Sequence, residues 1–159
     1  MKNLVLALVL AFSFTAFGAG KVDVTVSLTP AGSFHIESPK VKGKLKKKGK
    51  VYTASKISVK VKDMKTGMDL RDEHMAKRIS SKKHKSIVVT KVKASGGKGK
   101  GTIEIKGIKK PFKFSYTIAG KMMKAKFKLN LADFKIKDLK YLGVGAKKIV
   151  SIVADIPVK

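Results

Sequence analysis

The residues best suited to chemistry are concentrated in one stretch, TGMDLRDEHM at positions 66–75. The chain has 37 Lys and Arg but only 10 Asp and Glu, and three of those acids lie here. The charged or titratable residues of the stretch are Asp69, Arg71, Asp72, Glu73 and His74. Carboxylates beside a histidine can perform general acid–base catalysis, whereas an arginine beside a carboxylate often forms a bidentate ion pair. The stretch therefore predicts either a catalytic site or a set of charged contacts that fixes a loop.

We favour the structural interpretation of this stretch. Asp69 is suited to cap the first turn of a short helix over 69–80. Arg71 is expected to pair with Asp72, and His74 can donate to a backbone carbonyl or to a carboxylate. We therefore expect Arg71, Asp72 and His74 to fasten a helical insert to the rest of the fold.

No other part of the chain carries a recognisable catalytic or metal-binding motif. The three histidines, His35, His74 and His84, have none of the spacings of metal-binding pairs. The glycine-rich run at 96–102 lacks the Gly-Lys-Ser/Thr order of a phosphate-binding loop, so it is interpreted as a flexible hairpin loop. The absence of cysteine excludes thiol catalysis and cysteine-bound metal clusters. We therefore expect no enzymatic activity, no cofactor and no metal.

Alternating polar and apolar residues predict half-buried antiparallel strands along most of the chain. The clearest segments are 21–28, 55–61, 110–118, 124–131 and 150–158, and the weaker ones are 33–45, 86–94 and 101–107. Glycine- and proline-containing turns separate these segments, which together make about eight strands. Closure into a barrel would remove exposed sheet edges, and a two-sheet sandwich is the alternative. The predicted fold is thus an all-β, antiparallel, eight-stranded barrel with one short helix in an inter-strand insert.

The first residues have the pattern of a secretory signal. Lys2 precedes an apolar run at 4–12, and small residues follow at 16–20. We expect residues 1–19 to be cleaved, with the cut falling between Gly18 and Gly20. Residues 20–159 would then form a single exported domain, periplasmic or secreted, without a transmembrane segment.

The net charge of +27 predicts attraction to anionic partners such as lipid headgroups or acidic polymers. Arg71 and Arg78 are the only arginines and tryptophan is absent. Base recognition relies on arginine and on aromatic stacking, so a nucleic-acid partner is not expected. Anionic surfaces remain possible partners for the lysines.

Five groups of residues, taken in order, share their spacing with one protein family. They are Leu28–Phe34; Val41–Gly43; Thr66-Gly67 with Arg71-Asp72-x-His74; Gly101–Pro111; and Asp133-Phe134-x-Ile136 with Tyr141–Val144. Together they resemble the YceI-like family of exported bacterial lipid-binding proteins, over essentially the whole chain beyond the leader. The resemblance implies a lipocalin-like barrel, with a short helix near the Arg-Asp-x-His segment, that holds a polyisoprenoid or another amphiphile.

The resemblance and the predicted barrel together give a function and a set of candidate cavity residues. We expect a non-enzymatic protein that sequesters or carries a long-chain amphiphile of the isoprenoid or fatty-acid class. The candidate contacts are Phe34, Ile36, Phe112, Phe114, Tyr116, Met122, Met123, Phe127, Phe134 and Tyr141. An anionic headgroup would need a cation at the barrel mouth, and the lysines are too widespread for the sequence to single one out. The alternative is a cationic envelope-interaction protein with a filled barrel, which binds anionic polymers or membranes through its lysines.

Overall fold

The computed structural model describes residues 18–137, 139–141 and 143–159, with the backbone alone of Tyr141. The expected leader therefore lies outside the described residues, apart from Gly18 and Ala19. Within the described ranges, no helix has the length and hydropathy that crossing a membrane requires.

Strands dominate the described structure, and two 3-10 turns and one α-helix connect them. The strands are β1 Gly20–Thr29, β2 Ser33–Lys42, β3 Lys46–Lys48, β4 Val51–Lys60, β5 Ser86–Ser95, β6 Lys98–Ile105, β7 Ile108–Ala119, β8 Met122–Asn130, β9 Lys140–Tyr141, β10 Val144–Ala146 and β11 Ile149–Pro157. The 3-10 turns are Val61–Asp63 and Leu131–Phe134, and the helix α1 is Asp69–Arg78.

Eight of the strands close into an antiparallel barrel, which confirms the predicted fold class. Their order is β11-β8-β7-β6-β5-β4-β2-β1, and β1 pairs back with β11 through Val22 with Ala154 and Val24 with Ile152. Closure satisfies the backbone hydrogen-bonding groups that the edges of an open sheet would expose. The short strand β3 pairs with β4, while β10 pairs with β1 and β9 with β10.

The period-2 alternation of the sequence separates the inside of the barrel from the outside. On β8, Met123 and Ala125 are buried, whereas Lys124, Lys126 and Lys128 are exposed. Successive side chains of a strand point to opposite faces, so each apolar residue turned inward leaves a lysine turned outward. The lysine-rich composition is in this way compatible with an apolar interior.

The glycine-rich run is part of a strand rather than a flexible loop. Gly96 and Gly97 form the turn, and β6 begins at Lys98. A Cβ at Gly99 would lie 2.2 Å from the Phe114 ring. The expectation of a loop over 96–102 was therefore wrong beyond the turn, because Gly99 leaves the space that an aromatic ring of β7 occupies.

The end of the barrel opposite α1 is closed by the segment between β2 and β4. Leu45 is 1% exposed, and its backbone N–H donates to the Pro157 carbonyl at 2.8 Å. Its carbonyl accepts a hydrogen bond from the Lys159 N–H at 2.7 Å. These bonds hold the Leu45 side chain in a cluster with Tyr52, Met123 and other buried residues.

The helical insert lies between β4 and β5, as predicted. Helix α1 begins at Asp69 and ends at Arg78, two residues before the expected end. Met68 occupies the N-cap position, and no side chain caps the helix. Asp69 is therefore the first helical residue and not the cap, so that part of the prediction was wrong. The turn before the helix is held by Thr66, whose hydroxyl oxygen accepts a hydrogen bond from the Met68 backbone N–H at 3.3 Å.

Candidate ligand cavity

The side chains inside the barrel leave a cavity of about 710 Å³ between them. All eight barrel strands contribute to its wall, which is formed almost entirely by aliphatic and aromatic side chains. Ser58 is the one polar residue that these strands contribute among the described residues. The volume lies within the range of roughly 300–1,000 Å³ that is typical of small-molecule pockets. The arrangement can bury an apolar chain and offers it very few polar partners.

The cavity runs from the closed end of the barrel to a mouth beside α1. Leu45 and Met123, each 1% exposed, line its deep part. Three further lining residues are largely exposed. They are Met68 just before α1 (52% exposed), Leu70 on α1 (52%) and Val144 on β10 (43%). The exposed apolar residues mark the position of the mouth, between the helix and the β10 segment.

Six of the ten predicted cavity residues line the cavity. They are Phe34, Ile36, Phe112, Phe114, Met123 and Phe127. The Phe112 ring lies 4.7 Å from the Phe127 ring and 5.7 Å from the Phe114 ring, measured between centroids. These contacts form an aromatic cluster on one side of the wall, across β7 and β8. Contact of these six residues with a ligand stays a prediction.

Three of the predicted residues do not line the cavity in the described structure. The Tyr116 ring packs against the Tyr52 ring, with 5.7 Å between centroids. Met122 begins β8 at the hairpin with β7, opposite Ala119. Phe134 is 1% exposed and packs with Ile79, Ile103 and other buried residues near α1. The side chain of Tyr141 lies outside the described residues.

Most of the wall consists of aliphatic residues that were not predicted as site residues. They include Val22, Val24, Val59, Ile87, Val89, Leu129 and Ile152. The signal that could have found them was the strand alternation itself, because it places these residues on the inner face. Selecting aromatic and methionine residues was therefore too narrow a criterion.

One face of α1 forms the wall beside the mouth. The lining residues on the helix and at its ends are Met68, Leu70, Arg71, His74, Met75, Arg78 and Ile79. Apart from Leu70, their spacing of three and four residues puts them on one side of the helix. The helix therefore contributes both apolar and cationic groups to a cavity that is otherwise apolar.

Asp72 fastens the start of the helix to the preceding turn. Its Oδ1 accepts hydrogen bonds from the Thr66 backbone N–H at 2.8 Å and from the Thr66 hydroxyl at 2.7 Å. The Lys65 Nζ lies 3.6 Å from Oδ2. Burial raises the pKa of the Asp72 carboxyl, but the Thr66 hydrogen bonds and the Lys65 charge lower it by more. The net effect is a pKa below the ordinary value, which keeps the carboxylate ionised.

Arg71 contacts the barrel through an aromatic ring and not through Asp72. Its guanidinium carbon lies 4.1 Å from the centroid of the Phe34 ring on β2. In the described residues the Asp72 carboxylate is instead bound by Thr66 and Lys65. The expected Arg71–Asp72 pair is therefore replaced by two separate contacts, each of which ties the insert to its surroundings.

The other basic residues at the mouth come from α1 and β9. His74 lines the cavity one turn after Arg71, and Arg78 lines it one turn further on. The Arg78 Nη1 donates a hydrogen bond to the Lys137 carbonyl, which connects the end of the helix to the segment after the second 3-10 turn. Lys140 on β9 lines the opposite side of the mouth.

A second polar pair lies on the outside of the barrel. The His35 Nδ1 is 2.8 Å from the Asp23 Oδ1 and 3.0 Å from its Oδ2. The hydrogen bond to Asp23 and the charge of that carboxylate raise the pKa of His35 above its ordinary value. Across the described residues, no three histidine or carboxylate side chains are grouped as metal ligands would be.

Comparison with known proteins identifies relatives at the level of family and fold. The sequence matches the model of the YceI-like domain over residues 10–158, which is nearly the whole chain. A search of curated protein sequences finds none that matches.

Solved structures of low sequence identity share the fold. BcnA of Burkholderia cenocepacia superposes with a TM-score of 0.65 at 14% identity, covering 86% of this chain and 94% of that one. A polyisoprenoid-binding domain from Saccharophagus degradans, implicated in plant cell wall breakdown, gives a TM-score of 0.63 at 11% identity, covering 89% of this chain and 96% of that one. A YceI protein of Campylobacter jejuni gives a TM-score of 0.55 at 17% identity, covering 76% of this chain and 82% of that one.

Proposed function

The chain belongs to the YceI-like family, and on that premise we propose that it is a non-enzymatic protein that carries a long-chain amphiphile in its barrel. The amphiphile is of the isoprenoid or fatty-acid class. The leader-like pattern at 1–19 supports a periplasmic or secreted location for the barrel domain.

The observation that carries this proposal is the apolar cavity of about 710 Å³ with a mouth at one end. Transfer of a hydrocarbon chain from water into such a cavity contributes about 0.8 kcal/mol of binding free energy for each buried CH₂ group. A long chain can therefore bind tightly without any directional contact. The polyisoprenoid-binding domain with the same fold supports the same ligand class.

The cavity also distinguishes the proposed carrier from the cationic envelope-interaction protein. That alternative requires a barrel filled by its own side chains, in which the lysine surface is the working part. The outward lysines of β8 are compatible with both functions. The cavity and its mouth are explained by the carrier alone, so we give the carrier precedence.

The test is native mass spectrometry of the chain purified from a bacterial envelope without detergent, before and after solvent extraction. We expect a bound mass that disappears on extraction and is recovered as lipid. A chain that carries no bound mass, and acquires none on incubation with a polyprenol or with palmitate, would contradict the proposal.

A matched pair of double variants makes this test specific to the cavity. Ala125 and Ala154 are cross-strand partners on β8 and β11, and both line the cavity. Replacing both with Phe should fill the interior and lower the amount of bound lipid while the barrel stays folded. Ala31 and Ala119 are exposed and outside the cavity wall, so replacing both with Phe should leave lipid binding unchanged.

A further inference from the structure

Both arginines of the chain line the cavity. Arg71 and Arg78 lie on the inner face of α1 with His74 between them, at spacings that align the three side chains along the helix. Every other basic residue outside the histidines is a lysine. Arginine has a planar fork of donors that matches the oxygens of carboxylate and phosphate groups, which a lysine does not offer. We call Arg71, His74 and Arg78 the helix stripe.

The contacts that the two arginines already make leave donors for a ligand. A guanidinium carries five N–H donors in its plane. The Arg71 guanidinium lies over the Phe34 ring, and this contact supplies no oxygen acceptor to its N–H donors. The Arg78 bond to the Lys137 carbonyl uses Nη1, and the other nitrogens of the group keep their donors.

The charges around the stripe are all of one sign on the side that faces the cavity. The titratable residues that line the cavity in the described structure are Arg71, His74, Arg78 and Lys140, and no carboxylate is among them. Of the acids on the helix, Asp72 is bound by Thr66 and Lys65, whereas Asp69 and Glu73 are exposed. An apolar wall weakens dielectric screening, which strengthens the attraction between the stripe and an anion.

We propose that the helix stripe binds the anionic headgroup of the carried amphiphile, a carboxylate or a phosphate, while the apolar chain lies in the barrel. This proposal depends on the proposed function, because it concerns the same cavity. It assigns to α1 the headgroup contact that the widespread lysines left open. Arg71 makes the main contact, since its guanidinium is already held in place by Phe34.

The test compares ligands that share a chain and differ only in the headgroup. Geranylgeranyl phosphate is paired with geranylgeraniol, and palmitate with hexadecanol, each measured by displacement of a neutral fluorescent probe from the solvent-extracted protein. We expect each anion to bind more tightly than its alcohol. The ratio of anion affinity to alcohol affinity is compared between the two pairs. The pair with the larger ratio identifies the headgroup as phosphate or carboxylate.

Variants of α1 then test whether the helix stripe causes the tighter binding of the anion. Arg71→Gln should weaken binding of the preferred anion by roughly 10- to 100-fold, the usual effect of losing hydrogen bonds to a charged group, and should leave the alcohol unaffected. Arg78→Gln should act in the same direction and provides a second variant should Arg71→Gln fail to fold. Lys77→Gln removes the same charge from the exposed side of the helix and should change neither affinity.

Failure of this inference can be told apart from failure of the proposed function. If the intact protein binds the alcohols but holds the anions no more tightly, the headgroup assignment is wrong and the carrier stands. Equal loss of anion affinity in Lys77→Gln would also overturn the assignment, in favour of the overall charge. If neither the alcohols nor the anions bind, the carrier itself is wrong, and the headgroup site with it.

Discussion

The guanidinium carbon of Arg71 lies 4.1 Å from the centre of the Phe34 ring and so joins helix α1 to strand β2. A second link lies nearby. Lys65, before the helix, and Glu37, on β2, exchange two backbone hydrogen bonds of 2.8 Å. Asp72 binds Thr66, the residue after Lys65, and so connects the helix to this second link. The helical insert is thus attached to β2 at two places, which fixes one side of the cavity mouth.

The Arg71–Phe34 contact should be measurable as a coupling energy. In a double-mutant cycle of Arg71→Gln and Phe34→Leu, we expect the two residues to couple by about 0.5–1 kcal/mol, as cation–π pairs of partial exposure do. The measurement is urea denaturation of the parent, the two single variants and the double variant. The cycle of Lys77→Gln with Phe34→Leu is the control and should give no coupling. Additive effects of Arg71→Gln and Phe34→Leu would show that the stacking does not hold the helix.

Asp72 should stabilise the protein in a pH-dependent way. Its pKa in the folded state lies below the ordinary value of 3.8. A lowered pKa means that the stabilisation is complete above the unfolded-state pKa and is lost as the pH falls through the folded-state pKa. Near neutral pH we expect Asp72→Asn to cost about 1 kcal/mol, because the amide no longer attracts Lys65 but can still accept a hydrogen bond from Thr66.

The measurement for Asp72 is the free energy of unfolding of the parent and of Asp72→Asn as a function of pH. The difference between them should be constant near neutrality and should shrink below about pH 4. Glu73→Gln, at the exposed neighbouring position, should give little difference at any pH. A difference for Asp72→Asn that does not depend on pH would contradict the role of the charged carboxylate.

The pair of His35 and Asp23 should respond to pH in the opposite sense. The pKa of His35 is raised above the ordinary value of 6.5 in the folded protein by its hydrogen bond to Asp23. A raised pKa means that the stabilisation is complete below the unfolded-state pKa and is lost as the pH rises through the folded-state pKa. Titration of the three histidines by NMR should show a raised pKa for His35. Asp23→Asn should return that value towards 6.5, and an unchanged His35 titration in this variant would exclude the pair.

Gly43 should be required by both its backbone and its surroundings. Its φ is +112°, and a Cβ at this position would lie 2.6 Å from the Lys56 carbonyl oxygen. We expect Gly43→Ala to lower stability by more than about 1 kcal/mol, since the residue cannot relax without moving β4. Gly49 also has a positive φ, but no atom lies within 4 Å of its added Cβ. Thermal unfolding should therefore show a smaller loss for Gly49→Ala, and equal losses would mean that the backbone angle alone matters.

Much of the barrel could be predicted from the sequence because strand alternation is a local property. The pattern at 124–131 predicted β8 and the direction of its side chains, and hydrogen bonding to β7 and β11 confirms the strand. The start of β6 was missed because Gly99 has no side chain to show alternation. The space it leaves is explained only by Phe114, a residue of the next strand.

The cavity residues were harder to predict for a different reason. Phe114 and Tyr116 lie two residues apart on β7 and so face the same side of the sheet, yet Phe114 lines the cavity and Tyr116 packs against Tyr52. Alternation states which side a residue faces, whereas its depth along the barrel decides whether it meets the cavity or another side chain. That depth depends on the register between strands, which local sequence does not contain.

The sequence by itself determined the all-β class, the face of each long strand, the position of the helical insert and the family. Tertiary structure alone decided that the barrel holds a cavity of about 710 Å³, because that volume depends on how side chains from all eight strands meet across the interior. It also decided the partner of Arg71. Asp72 is adjacent to Arg71 in the chain, but successive residues of a helix point in different directions. The guanidinium of Arg71 instead reaches Phe34 on β2, which lies two barrel strands earlier in the chain.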